Sequence, residues 1–217
     1  MYSAVIVAAG KGTRANLTYN KVFHEIKGKH LIEFTIRHFI NDESCVKIVV
    51  VVSIQEFDFT KKLLTSPKIE VILGGTTRQE SVYLGLKQVS TEIVLIHDGA
   101  RPNIKPEFIE SVLNELSRSR AVTLAIPVKD TLNIVKNNII ESTIDRSTTF
   151  QIQTPQGFYL TDIQKAHEEA YKHHHEYTDD ASLYMNEIQL DVSVVLGDET
   201  NLKATTQIDL LILEELL

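Results

Sequence analysis

One cysteine, Cys45, stands alone among 217 residues, which excludes an internal disulfide framework and fits a reducing cytoplasm. Its expected role is a small apolar filler beside the Val46–Val52 run, not a nucleophile. No stretch approaches the roughly 20 apolar residues of a membrane span. The first apolar run is also too short for a secretory signal and leads straight into a glycine turn. Positive charge is in deficit, with 22 Lys and Arg against 29 Asp and Glu and a net charge of −7, which argues against general nucleic-acid binding. An anionic ligand would therefore need a local positive field. No internal repeat or low-complexity tract interrupts the chain, and 217 residues read as one domain spanning 1–217. A hydrophobic fraction of 43% is enough to fill its core.

Two nucleotide signatures are missing as well. The opening glycine turn reads G-x-G-x-R, with Arg14 and Ala15 where a dinucleotide fold wants a third glycine, and no acidic residue ends a second strand about 20 residues on. A G-x-x-x-x-G-K-[ST] P-loop is absent. What is present is a β-branched run, Ala4–Ala9, that breaks into Gly10-Lys11-Gly12-Thr13-Arg14, with Lys21 just beyond. The run reads as a buried parallel strand. Gly10 and Gly12 let the backbone turn and approach a ligand closely. Exposed N–H groups in such a turn bind phosphate, and Lys11, Arg14 and Lys21 add full positive charge. A bare connecting turn is the alternative at this stage.

Downstream, strands and helices alternate. Strands are expected at Val5–Ala8, Lys47–Val52, Glu70–Leu73, Ile93–Ile96 and Val122–Ile126, and helices at Leu31–Ile40, Gln55–Leu64, Gln79–Gln88 and Pro106–Ser117. This order predicts an α/β, three-layer, mostly parallel sheet covered on both faces. Ligands of such sheets sit beyond the carboxyl ends of the strands. Residues 130–150 break the pattern. Thr131–Val135 and Ile139–Thr143 alternate around the turn Lys136-Asn137-Asn138, which reads as a hairpin. Alone, a hairpin is marginal in water, so a partner subunit is expected to cover it. Thr161–Tyr171 reads as a helix, Val192–Leu196 as a strand and Ile208–Leu217 as a closing helix. His173-His174-His175 is read as a solvated helix end, because three adjacent helical residues point in different directions and do not share one ion. Asp98, just past a buried strand, suits either Mg²⁺ or a local loop cap.

The motifs Ala8-Ala9-Gly10-Lys11-Gly12-Thr13-Arg14, Asn20-Lys21, Gly74-Gly75, Arg78, Ser81, His97-Asp98-Gly99-Ala100-Arg101-Pro102, Pro127-Val128-Lys129-Asp130-Thr131, Asp145-Arg146, Thr154-Pro155-Gln156, Thr178-Asp179-Asp180-Ala181-Ser182 and Asn201-Leu202-Lys203 run in order through nearly the whole chain. Together they resemble the 2-C-methyl-D-erythritol 4-phosphate cytidylyltransferases, CTP-using enzymes of the non-mevalonate isoprenoid pathway. The opening motif is shared by many nucleotidyltransferases; the His-Asp-Gly-Ala-Arg-Pro and Thr-Asp-Asp-Ala-Ser blocks are more specific.

The resemblance implies a Rossmann-like nucleotidyltransferase fold and the joining of CTP to a polyol phosphate with release of pyrophosphate. It implies that Arg14 and Lys21 stabilise the transition state, while Ala8, Ala9, Gly10, Lys11 and Gly12 hold the triphosphate. Gly75, Arg78 and Ser81 would recognise the base, and Asp98 would hold Mg²⁺ or another divalent cation. Thr131, Arg101, Arg146 and Lys203 would position the second substrate, with Arg146 carried by the 130–150 hairpin arm into the site of the other subunit of a homodimer. Thr76-Thr77 stands where the family commonly has an acidic pair: base selectivity is kept if the family's contacts here use backbone atoms and lost if they need an acidic side chain. Ala15 and Asn20 replace a frequent methionine and proline. The sequence ends directly after the closing helix, so the cyclising-synthase domain fused to some relatives is not expected. Two other readings stay open: ribitol 5-phosphate cytidylyltransferase of teichoic acid synthesis, and a nucleotide-binding regulator without turnover.

Overall fold

The structure, a computed structural model, describes residues 1–10 and 19–217. Its centre is a seven-stranded sheet whose strands are β1 (Tyr2–Val7), β4 (Cys45–Val52), β5 (Ile69–Leu73), β6 (Ile93–Asp98), β7 (Ala121–Pro127), β10 (Phe150–Tyr159) and β11 (Ser193–Leu196). They lie in the order β11-β7-β10-β6-β1-β4-β5. β1, β4, β5 and β6 run parallel, as do β7 and β11. β10 is antiparallel to both of its neighbours, β6 and β7.

The valine run of β4 shows why the sheet must be covered twice. Ile48, Val50 and Val52 belong to one buried cluster and Val49 and Val51 to the other, as the two-residue side-chain period of a strand requires. A one-residue slip in register would exchange the two sets. On one face lie α1 (Leu31–Asn41), α2 (Phe57–Leu63), α4 (Pro106–Glu115) and α7 (Gln207–Leu216). These bury Leu31, Ile36, Phe39, Ile109, Val112 and Leu213. On the other lie α3 (Arg78–Leu86), α5 (Leu160–His173) and α6 (Asp180–Ile188), burying Val82, Leu86, Ile163, Ala166 and Tyr184. The expected three-layer, mostly parallel α/β architecture is therefore the observed one. Cys45 is a buried free thiol at the start of β4. Among the described residues no helix is long and apolar enough to cross a membrane.

Several elements differ from the sequence reading. Thr154–Phe158, read only as a return to the main body, is part of β10, which fills the gap between β6 and β7 and shifts register between Ile152 and Gln156. Its buried Gln153, Thr154 and Gln156 hide it from any apolar pattern. The Thr-Asp-Asp-Ala-Ser block opens helix α6, which the sequence reading did not mark. A small hairpin, β2 (Glu25–Ile26) with β3 (Lys29–His30), leads into α1.

The arm consists of β8 (Asn133–Lys136) and β9 (Ile139–Thr143), paired with each other as a separate two-stranded sheet. Ile134, Val135, Ile139 and Ile140 on it are all exposed.

Candidate active site

The carboxyl ends of β1, β4, β5 and β6 open onto a cavity of about 980 Å³. Each wall has a local cause. β1 ends at Val7, and the Ala8 N–H continues its ladder to Val51 O at 2.8 Å. Asn20 Nδ2 donates to Ala8 O at 2.7 Å, while Asn20 Oδ1 accepts from the Val22 N–H at 3.3 Å. This residue clamps the strand end to the 3-10 turn Lys21–Phe23 and so sets Lys21, only 9% exposed, in the cavity wall.

The opposite wall is the link from β5 to α3. Gly74 must be glycine here, because a Cβ would stand 2.8 Å from both Ala9 Cβ and Ser81 Oγ. Thr77 caps α3 by accepting from the Glu80 N–H at 3.1 Å, which fixes Arg78 as the first helical residue. Ser81 donates to Thr77 O at 2.8 Å and accepts from the Gly75 N–H at 3.1 Å. Its hydroxyl thus shapes the glycine loop itself. Among the described residues, nothing lies within 4 Å of a Cβ placed at Gly10.

The floor is Asp98, the last residue of β6. Lys203 Nζ lies 2.7 Å from its Oδ2, Arg101 Nε 3.6 Å from the same oxygen, and Arg78 Nε 3.4 Å from Oδ1. Burial pushes the Asp98 carboxyl up, but Arg78, Lys203 and Arg101 outweigh it and hold the group well below the usual carboxylate range. Arg78 also reaches Asp180 Oδ2 at 2.8 Å, and the second oxygen of that buried aspartate lies 3.4 Å from His167 Nε2. Arg78 therefore bridges two buried carboxylates. Among the described residues that line the cavity, Lys21, Arg78 and Lys203 stand against Glu80 and Asp98, a net positive set on a chain whose overall charge is −7. This is the local field that an anionic ligand needs.

Behind Asp98 runs a relay that the sequence did not reveal. His97 is fully buried. Its Nε2 lies 3.1 Å from Arg101 O, and its Nδ1 3.0 Å from Thr154 Oγ1. A carbonyl only accepts, so Nε2 carries the imidazole proton and Nδ1 accepts from the Thr154 hydroxyl. That hydroxyl oxygen in turn accepts from the Asp98 N–H at 3.1 Å.

Burial lowers the His97 imidazole from 6.5 to about 4. The unfolded chain takes up this proton near pH 6.5, and the folded chain resists it until about pH 4. The stability at stake is fully present above 6.5 and is lost as pH falls towards 4, roughly 3 kcal/mol in all. Urea unfolding followed from about pH 7 to 4.5 is expected to show a steeper loss for the wild-type chain than for His97→Gln; parallel slopes would contradict a neutral buried imidazole.

Two further locks assemble the remaining motifs. Gln156 Nε2 donates to Asp179 Oδ2 at 2.8 Å, and Gln156 Oε1 accepts from the Ala181 N–H at 2.9 Å, so β10 positions the start of α6 and with it Asp180. Arg101 NH1 donates to Asn201 O at 2.7 Å, Asn201 Nδ2 to Thr154 O at 2.9 Å, and the Ala204 N–H to Ala100 O at 2.8 Å. This ties down the segment that delivers Lys203. Arg101 is thus a brace for that loop.

Of the residues expected at the site, Ala8, Ala9, Gly10, Lys21, Gly75, Arg78, Ser81, Asp98 and Lys203 line one cavity. Lys11, Gly12 and Arg14 lie outside the described residues. A second cavity of about 440 Å³ is lined by Arg101, Lys129, Asp130, Gln151, Gln153 and Lys203, among others. It shares Lys203 with the first. Thr131 and Arg146 line neither; both are exposed, and Arg146 NH1 donates to Lys129 O at 3.3 Å. Asp180, His97, Thr154 and Asn201 complete the arrangement without having been singled out as site residues.

Comparison with known proteins gives a consistent picture. The family model for 2-C-methyl-D-erythritol 4-phosphate cytidylyltransferase matches residues 2–217. A protein of that name from Bacillus licheniformis is 42% identical over 221 residues, covering 100% of this chain and 95% of the relative. The crystal structure of 4-diphosphocytidyl-2C-methyl-D-erythritol synthase from Anaerococcus prevotii superposes with a TM-score of 0.87 at 31% identity, covering 100% of this chain and 97% of the other. The Francisella tularensis 2-C-methyl-D-erythritol 4-phosphate cytidylyltransferase gives 0.86 at 29% identity, with 100% and 99% covered.

Proposed function

The chain belongs to the 2-C-methyl-D-erythritol 4-phosphate cytidylyltransferase family, and from that premise we propose how its own residues carry out the reaction. It is a CTP-dependent transferase. It moves CMP from CTP to 2-C-methyl-D-erythritol 4-phosphate, giving 4-diphosphocytidyl-2-C-methyl-D-erythritol and pyrophosphate, in isoprenoid precursor biosynthesis. Neither the ribitol 5-phosphate reading nor the regulator reading finds support in the relatives.

One observation carries the assignment of the site: a buried, ionised Asp98 ringed by Arg78, Arg101 and Lys203 on a cavity at the strand ends. In the transfer, a phosphate oxygen of the polyol phosphate attacks the α-phosphorus of CTP in line, and negative charge gathers on the α-phosphate and the departing pyrophosphate. No covalent nucleophile is needed; positioning and charge neutralisation suffice. Lys21, fixed by its 3-10 turn, neutralises charge at the transferred phosphate together with Arg14. Lys11 and the N–H groups at Ala9 and Gly10 hold the triphosphate, and the Gly74–Gly75 backbone receives the cytosine.

The oxygen donors present suit a divalent cation. Asp98 Oδ1 makes a long 3.4 Å contact with Arg78, and a carboxylate oxygen can accept more than one partner; a hard cation such as Mg²⁺ takes one or two carboxylates plus phosphate oxygens. Asp98 would hold such a cation, which would supply charge neutralisation for the leaving pyrophosphate. Lys203, which borders both cavities, is then the natural partner for the polyol phosphate. A pyrophosphate-release assay tests the whole reading: turnover should be highest with CTP and 2-C-methyl-D-erythritol 4-phosphate. A preference for ribitol 5-phosphate, or CTP binding without turnover, would overturn it.

The enzyme acts as a homodimer in this reading. The isolated hairpin β8–β9 exposes Ile134, Val135, Ile139 and Ile140, and two strands alone are marginal in water. Arg146, outside both cavities of its own chain, serves the polyol phosphate of the partner. The cytoplasm is its compartment, in keeping with the free thiol of Cys45. Pairing an Arg146→Ala chain with a Lys21→Ala chain leaves one intact site in each heterodimer, so purified heterodimers should recover roughly half the wild-type rate. Verified heterodimers no more active than either parent would rule out shared sites.

A further inference from the structure

The three consecutive histidines at the end of α5 are not on one continuing helix, and that changes what they can do. α5 stops at His173; His174 adopts the left-handed cap conformation with φ 55°. The His175 N–H donates back to Ala170 O at 2.9 Å, the bond pattern of a Schellman turn. This reversal separates His174 from its neighbours and turns His173 and His175 towards the same carboxylate. Their rings lie 5.5 Å apart between centroids. His175 Nδ1 is 2.7 Å from Glu187 Oε1, and His173 Nδ1 is 3.8 Å from Glu187 Oε2.

Glu187 sits in the last turn of α6. Its side chain is 6% exposed, against 56% and 54% for the two histidines. The Tyr177 hydroxyl donates to Glu187 Oε1 at 2.7 Å and fixes the carboxylate. From α3, the Gln79 side chain holds the turn itself, donating to His175 O at 3.1 Å and accepting from the Tyr177 N–H at 2.9 Å. The result is a seated oxygen ligand facing two imidazoles that remain open to solvent, on a backbone held from both sides.

We propose that His173, His175 and Glu187 form a binding site for a divalent transition metal of the Zn²⁺ type, with water completing the coordination. One ligand atom from each residue already lies within 4.8 Å of the others. Tetrahedral Zn²⁺ with bonds of about 2.0–2.2 Å to nitrogen and oxygen sets its ligands roughly 3.4 Å apart. The exposed imidazoles reach that spacing by small side-chain rotations, without moving Glu187. Two imidazoles and a carboxylate favour Zn²⁺ over Mg²⁺, which prefers an all-oxygen shell. The expectation that adjacent histidines cannot share an ion held only for an unbroken helix. None of the three residues lines the cavity at Asp98, so the site stands apart from the nucleotide pocket.

Zn²⁺ titration of the full chain by calorimetry, in excess Mg²⁺ to fill hard oxygen sites, tests the proposal. The expected result is one Zn²⁺ per chain. His173→Gln or His175→Gln should each weaken it by more than the roughly 10–100-fold cost of losing an outer-shell partner. His174→Asn, which tolerates the left-handed backbone, should keep the affinity, as should Asp98→Asn. Both glutamine substitutions replace exposed side chains, so unchanged circular dichroism without Zn²⁺ is expected and shows that they act on the ion. Absence of binding, binding indifferent to both glutamine substitutions, or binding lost in an Asp98→Asn chain whose circular dichroism is unchanged would overturn the proposal. None of these outcomes bears on cytidylyl transfer, which is read by pyrophosphate release.

Discussion

Asp98→Asn is expected to cost about 3 kcal/mol of folding stability and to lower kcat by more than about 10²-fold. The buried carboxylate is the common partner of Arg78, Arg101 and Lys203. Removing its charge leaves those cations facing one another in a desolvated pocket, and breaking a buried pair by deleting one member typically costs about 3–5 kcal/mol. The lower end applies because the partners differ. Lys203, with 34% of its side chain exposed, can turn to water, whereas Arg101, at 11%, cannot. Lys203→Met, which leaves Asp98 two arginines, should therefore cost clearly less than Asp98→Asn in the same urea titration. Equal losses would mean that the cluster is not organised around the aspartate. The loss in kcat has a separate origin, in the misplacement of Lys203 and the removal of the carboxylate that suits Mg²⁺.

Lys21→Ala carries the second large effect, a fall in kcat of about 10²–10³-fold, the scale for losing one donor that stabilises developing charge. KM for CTP should move far less, because the triphosphate keeps its other contacts, and a loss confined to the transition state lowers kcat and kcat/KM together. The side chain is well placed for this role. The Asn20 side chain fixes both the turn that carries it and the end of β1, so a misplaced ammonium is not tolerated either. Lys21→Arg, with a planar fork in place of a compact charge, should recover only part of the rate. A variant with normal kcat and a raised KM would assign Lys21 to ground-state binding instead.

Much of this was legible in the sequence because its physics is local. The Lys47–Val52 run could only be a strand buried on both faces, and β4 is one. The spacing of Leu31, Phe34 and Phe39 could only be a helix with one apolar face, and α1 is that helix.

What stayed hidden is polar and long-range. His97 and Thr154 meet across 57 positions of sequence and Arg101 and Asn201 across 100, and no periodicity marks such pairs. β10 escaped because Phe158 is its one large apolar residue that is buried, while Gln153, Thr154 and Gln156 are buried polar groups whose burial is tolerable only once their hydrogen bonds are made. Asp180 stood inside a recognised motif, yet its service to Arg78 depends on Gln156 holding the start of α6. The histidine triplet is an exposed helix end, as expected, but no side-chain pattern marks the left-handed turn at His174 that brings His173 and His175 to one carboxylate.

The central claim is that the positive pocket at the ends of β1, β4, β5 and β6 holds the triphosphate of CTP. A crystal structure with CTP and Mg²⁺ tests it most directly. The account predicts the phosphates against the Ala9–Gly10 backbone and Lys21, the metal on Asp98 Oδ1, and the base over Gly74 and Gly75. Nucleotide bound elsewhere, with this cavity left empty, would contradict it.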